Sequence, residues 1–203
     1  MNNLDKNYTD TSSMGEFAKE YFSYLMKVLA SIDEKEINKL GELFEQAREN
    51  SNTIFVAGNG GSAATAMTMA NDIGFDIIKK TKTKKPFKVL SLVDNNSVIT
   101  AISNDVGYEN IFISQLKIHY KKGDILIVIS ASGNSPNIIK AANWVKSKGG
   151  AIIGFLGFSG GELIKLCDVK IHAKSNPGEY GPVEDAHLIM NHVLAHWFQN
   201  KFR

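Results

Sequence analysis

The stretch 53-TIFVAGNGGSAATAMTMA-70 decides how this chain is read. Thr53–Ala57 is a short apolar run with β-branched residues, the signature of a buried strand. From Ala63 onward the composition predicts a helix, over Ala63–Lys79. Between the two lie Gly58, Asn59, Gly60, Gly61 and Ser62. A strand that passes through a glycine loop straight into a helix is the unit of a parallel α/β sheet, and small loop residues let a ligand approach the backbone. The loop lacks the final glycine of a dinucleotide fingerprint, and no Gly-Lys-Ser/Thr follows it. The expected ligand is therefore a phosphorylated small molecule, with no nucleotide cofactor.

The same rhythm continues outward from this unit. Further strands are expected at Lys88–Leu92, Asp124–Ser130, Ala151–Leu156 and Val169–Ala173. Helices are expected at Ser97–Ile102, Glu109–Tyr120, Pro136–Lys148, Gly161–Leu166 and Val183–Lys201. Apolar strands alternating with amphipathic helices predict an α/β fold, a parallel sheet covered on both faces. Ahead of it stands a helical hairpin. Phe17, Tyr21, Phe22, Leu25, Met26 and Leu29 mark its first helix, and Ile37, Leu40, Leu43 and Phe44 its second. Asp33 and Glu36 have the spacing of a capping box. Residues 1–13 are polar and expected to fray, leaving 14–203 as a single domain. The apolar residues Phe17, Tyr21 and Phe22 exceed what a lone sheet domain needs and are expected to pack between subunits.

In such sheets ligands bind beyond the carboxyl ends of the strands. Small and hydroxylic residues crowd that edge here. After the third strand come Ser130, Ala131, Ser132, Gly133, Asn134, Ser135 and Pro136. Ser130, Ser132 and Ser135 offer hydroxyls within six positions. Ser135 suits a helix N-cap and Pro136 the first helical turn, where free N–H groups favour an anion. Hydroxyls and amides converging at one helix start predict a phosphate site.

The 203 residues suit one compact domain, and 43% hydrophobic content is an ordinary globular value. The formal charge of +2 argues against nucleic acid as a partner. The basic run from Lys79 to Lys88 reads as a solvated helix end and loop. One cysteine, Cys167, excludes a disulfide framework and is expected to be buried. No apolar run approaches the about 18 residues of a membrane span, and the N-terminus lacks a signal peptide's apolar core. A cytoplasmic protein is expected. His119 and His172 are read as structural, His187 and His196 as bonded or exposed, and Trp144 and Trp197 as helix-surface or subunit contacts.

Taken together, "GNGGSA", "SNDVGYENIF" and "ISASGNSPNIIKA" resemble the SIS (sugar isomerase) domain family, in its phosphoheptose isomerase branch. The resemblance runs over nearly the whole chain. It implies a five-stranded, flavodoxin-like sheet and a homotetramer. It also implies isomerisation of sedoheptulose 7-phosphate through an enediol, for heptose synthesis. The family's phosphate loop maps onto Ser130, Ala131, Ser132 and Ser135, its glycine loop onto Asn59, Gly60, Gly61 and Ser62, and its sugar contacts onto Asn104 and Asp105. Its acid/base His, Glu and Gln positions carry Thr68, Asp72 and Glu184, while the last His is kept as His192. Asp72 is then expected as base, His192 as acid, and Glu184 as a sugar contact. In relatives these positions also hold zinc, so Asp72, Glu184 and His192 are the implied metal ligands. The alternative is a non-catalytic relative that binds a phosphosugar or a replication initiator.

Overall fold

The computed structural model describes residues 2–203. Five parallel strands form one sheet: β1 (Thr53–Gly58), β2 (Lys88–Ser91), β3 (Ile125–Ser130), β4 (Ala151–Phe158) and β5 (Val169–Lys174). Their order is β2-β1-β3-β4-β5, the flavodoxin-like arrangement. Ile54 pairs with both Val89 and Ile125, so the central strands are aligned from their first residues. Each expected strand is present, with ends shifted by one or two residues.

The period-two alternation of the strands divides the core into two layers. Ile54, Val56, Ile127 and Phe155 face a cluster with Leu40, Phe44, Met69, Ile73, Leu194 and Phe198. These come from α3 (Glu34–Glu49), from the helix after β1, and from the long α9 (Tyr180–Lys201). Phe55, Leu126, Val128 and Leu156 face the other way, against Ile111, Phe112, Ile138 and Ala142. That layer is built by α6 (Asn96–Val106), α7 (Ile111–His119) and α8 (Pro136–Ser147). Cys167 belongs to the second layer, and burial pushes its thiol up to about 12, leaving it an inert apolar filler.

The helix after β1 differs from a simple rod. It runs as α4 (Gly61–Met69), turns π-helical over Ala70–Asp76, and finishes as α5 (Ile77–Lys80). At its end the basic run is taken up locally: Lys80 pairs with Asp76 at 2.6 Å and Lys85 with Glu49 at 3.0 Å. The expected helix at Gly161–Leu166 shrinks to a 3₁₀ turn at Leu163–Lys165, because Gly160 and Gly161 both take positive φ.

The N-terminal region departs from expectation in two ways. The polar segment is not frayed: α1 (Asn3–Thr9) forms behind a capping box made by Asn2 and Asp5. The Asn3 N–H donates to Glu179 Oε1 at 2.6 Å, which ties α1 to the start of α9. Asp33 and Glu36, in contrast, form no capping box. Asp33 accepts from the Lys35 N–H, while Glu36 accepts from the Lys170 N–H at 2.8 Å and docks α3 against β5. α2 (Met14–Ala30) packs Val28 and Leu25 against Val183 and Ala186 of α9. The Tyr21 hydroxyl donates to Asp185 of α9 at 2.5 Å, whereas Met14, Phe22 and Met26 are exposed.

Candidate active site

A cleft of about 150 Å³ opens at the carboxyl ends of β1 and β3. This is the point where the strand order reverses, the ligand position of open α/β sheets. Its walls include Asn59, Ser62, Ser130, Ala131, Ser132 and Ser135, with Tyr180 and Glu184 from α9. The glycine loop and the serine loop, 70 residues apart in sequence, thus form one site.

The serines present free hydroxyl protons to it. Ser130 Oγ accepts from the Gly133 N–H at 3.1 Å, and Ser132 Oγ accepts from the Asn134 N–H at 3.3 Å. Both oxygens serve as acceptors for their own loop, so their O–H groups are left to donate to a ligand. Ser135 stands at the N-cap of α8 but makes no capping bond, contrary to expectation, and its hydroxyl also faces the cleft. The loop is braced from behind: Gly133 O accepts from the Leu163 N–H at 3.0 Å, and Asn134 Oδ1 accepts from the Glu162 N–H at 3.0 Å. Gly133 has φ +65°, and a Cβ there would overlap the Gly160 carbonyl. The loop after β4 is thus a buttress and does not line the cleft.

Asn59 is fixed by Asn137 and Tyr108, which stand inside two of the quoted motifs without a role assigned to them there. It exchanges two side-chain hydrogen bonds with Asn137, at 3.0 and 2.9 Å, and its Oδ1 also accepts from the Tyr108 hydroxyl at 2.9 Å. Asn137 was legible only as the second residue of a helix; nothing local marks it as a partner of Asn59. Gly60 takes φ +55° to turn the chain, and Gly61 lies beside the Glu184 carboxyl. A Cβ on Gly61 would overlap the Glu184 carboxyl, which lies over the start of α4. Desolvation at this cleft raises the Glu184 pKa above the ordinary carboxylate value, with Asp185 beside it adding to the rise.

Asp72 and His192, expected as base and acid, lie on other faces of the same helices. Asp72, in the π-helical segment, brings Oδ2 to 3.6 Å from His192 Nε2. The Asn191 side chain donates to the same Oδ2 at 2.8 Å. His192 is half exposed and Asp72 mostly covered. Neither lines the serine cleft. Glu184 lies eight residues before His192 on α9, about 12 Å along a helix. Among the described residues no three His, Cys, Asp or Glu side chains gather at metal-binding distance. Thr68 turns its hydroxyl back to the Ala64 carbonyl at 3.0 Å. Glu184 thus stands in the serine cleft, apart from Asp72 and His192. Asn104 and Asp105 are bonded to each other on the exposed end of α6, outside the cleft lining.

Of the remaining histidines, His187 is fully buried, with Nε2 at 3.0 Å from the Leu156 carbonyl. Burial lowers its pKa to about 4. His172 Nε2 lies 3.0 Å from the Phe158 carbonyl. Trp144 stacks edge-on against Tyr120, and Trp197 is exposed on α9.

Comparison with known proteins agrees with this geometry. The family model for the SIS domain matches residues 17–157. Phosphoheptose isomerase of Aneurinibacillus thermoaerophilus is 34% identical over 202 residues, covering 93% of this chain and 98% of the relative. Phosphoheptose isomerase 2 of Campylobacter jejuni is 38% identical over 153 residues, covering 74% of this chain and 72% of that protein. The structure of a phosphoheptose isomerase from Neisseria gonorrhoeae superposes with a TM-score of 0.80 at 24% identity, over 93% of this chain and 100% of the other. Matched by the SIS model over most of its length and aligned with nearly all of a phosphoheptose isomerase, this chain belongs to the SIS domain family, in its phosphoheptose isomerase branch.

Proposed function

We propose that this chain is a sugar-phosphate isomerase that converts sedoheptulose 7-phosphate to D-glycero-D-manno-heptose 7-phosphate through an enediol, for surface polysaccharide synthesis in the cytoplasm. The observation that carries this reading is the cleft at the β1/β3 switch point. Three serine hydroxyls, the start of α8 and the clamped Asn59 converge there on a space of phosphate size. The phosphate anchors the sugar, and Glu184 accepts from sugar hydroxyls along the cleft wall. Among the described residues, no helix is long and apolar enough to cross a membrane.

Asp72 takes the proton from the carbon beside the ketose carbonyl, and His192 gives a proton to the carbonyl oxygen. The resulting enediol loses its other hydroxyl proton and is reprotonated at the former carbonyl carbon, which yields the aldose. Because Asp72 and His192 lie outside the cleft lining of their own subunit, the complete site is shared between copies of a homotetramer. Exposed Met14, Phe22 and Met26 on α2 support association, as does an apolar groove of about 360 Å³ between α3 and α9, walled by Leu40, Met190 and Trp197. Asn104 and Asp105 are sugar contacts in that assembly.

One observation favours a binding protein as the second reading: Thr68 spends its hydroxyl inside its own helix and contributes no acid or base. Exchange of the substrate's carbonyl-adjacent proton in deuterated water separates the two, run with and without zinc and with light scattering to give the assembly mass. Exchange and aldose formation are expected. Tight phosphosugar binding without any exchange would replace the enzyme reading with the binding one.

A further inference from the structure

Asn191 is an amide where the fold asks for an apolar side chain. It is fully buried on α9, on a face that continues with Leu194, Ala195 and Phe198, all in the core. Its Oδ1 has no hydrogen-bond partner. One turn earlier, buried His187 likewise has no partner for Nδ1. Two half-satisfied polar side chains in a sheet–helix interface destabilise the fold relative to apolar residues of the same size. The one bond that the Asn191 side chain makes is the donation from Nδ2 to Asp72 Oδ2.

Asp72 in turn stands in an unusual place. It lies in the π-helical segment Ala70–Asp76, a conformation that is rare and clusters at functional sites. Among the described residues, the only other side chain that donates to its carboxylate is exposed Asn71, at 3.0 Å on Oδ1. An aspartate held only by an exposed neighbour would turn freely about two side-chain torsions.

We infer that Asn191 is a positioning residue for Asp72: from inside the core it fixes the carboxylate so that Oδ2 faces His192. The structural part stands on the 2.8 Å bond and the burial of the amide; the catalytic consequence rests on the isomerase reading above. Asn191 does not touch the cleft, so its effect falls on proton transfer and spares phosphate binding.

Asn191→Leu tests this, since leucine keeps the branched shape, though with larger methyl groups, and removes the orphaned acceptor as well as the donor. The variant should melt no lower than wild type. Its kcat should fall about 10-fold or more, as expected when a reacting group is left loose, while KM stays within about twofold. In an Asp72→Asn background the same change should alter residual proton exchange by less than about twofold, because the two residues act as one unit. An unchanged kcat, or an equal loss in both backgrounds, would overturn the inference. A second measurement does not depend on activity. By NMR the Asn191 side-chain amide protons should exchange slowly with solvent in wild type and much faster in Asp72→Ala. Equal exchange rates in the two proteins refute the positioning bond. An inactive wild type with a protected amide counts against the isomerase reading and leaves the bond standing.

Discussion

At the scale of single residues, the serines and Glu184 set opposite demands on one small cleft. Ser130, Ser132 and Ser135 offer donors to an anion, while Glu184 holds a carboxyl on the same wall. The raised pKa of Glu184 reconciles them in part, because a group that keeps its proton to higher pH repels a phosphate less. The hydroxyls supply the affinity. Replacing Ser132 and Ser135 together by alanine should remove two charge-assisted hydrogen bonds, each worth about 1.5–3 kcal/mol. Calorimetry should therefore show phosphosugar affinity reduced by on the order of 100-fold or more. Binding within a few-fold of wild type would mean that backbone N–H groups alone hold the phosphate.

At the scale of elements, α9 organises the molecule. Its first turns line the cleft through Tyr180 and Glu184, its middle places Asn191 and His192 at Asp72, and its later turns fill the core through Leu194 and Phe198. The N-terminal helices fix where it begins. Glu179, fully buried, accepts from the Asn3 and Asn176 N–H groups and from the Tyr24 hydroxyl. Burial, together with the bond to Glu179, pushes the Tyr24 pKa up to about 12, so the hydroxyl stays a donor throughout the working pH range. Tyr24→Phe deprives a buried carboxylate of one donor. It should cost about 1–3 kcal/mol of stability in urea unfolding, and it should also raise KM, since the start of α9 carries the cleft wall. A variant as stable as wild type would show that the α1–α2 clamp is incidental.

At the scale of the whole molecule, the buried histidine ties stability to acidity. His187 is neutral in the core with a pKa lowered to about 4, chiefly by desolvation, whereas in the unfolded chain it titrates at its ordinary value near 6.5. Between those values the unfolded state binds a proton that the folded state refuses. Stability from this residue is therefore complete above about pH 6.5 and falls as pH drops toward 4, by about 3 kcal/mol over the full window. His187→Gln, which keeps a neutral donor for the Leu156 carbonyl, should flatten the acid side of the stability profile measured by urea titration at several pH values. A profile with the same acid slope as wild type would assign the loss to other groups.

The sequence by itself determined the layered fold and the two loops that meet in the cleft. Strands apolar at nearly every position, such as Ile125–Ser130, must be covered on both faces, and the glycine loop and the Ser-x-Ser-x-x-Ser-Pro run are each read within a few neighbouring residues. The resemblance to the SIS family pointed to Asp72 and His192, and the structure brings them to 3.6 Å. Only the tertiary structure decided contacts between distant segments: Asn59 with Asn137 and Tyr108, Tyr24 with Glu179, and Asn191 with Asp72. It also placed Glu184 in the serine cleft, away from the Asp72–His192 pair. No local pattern marks such partners, because a side-chain bond across 100 residues depends on which helix face the sheet order turns toward which loop. The π-helical turn at Asp72 was not marked by any local pattern either; Ala70–Asp76 packs against β2 and α9.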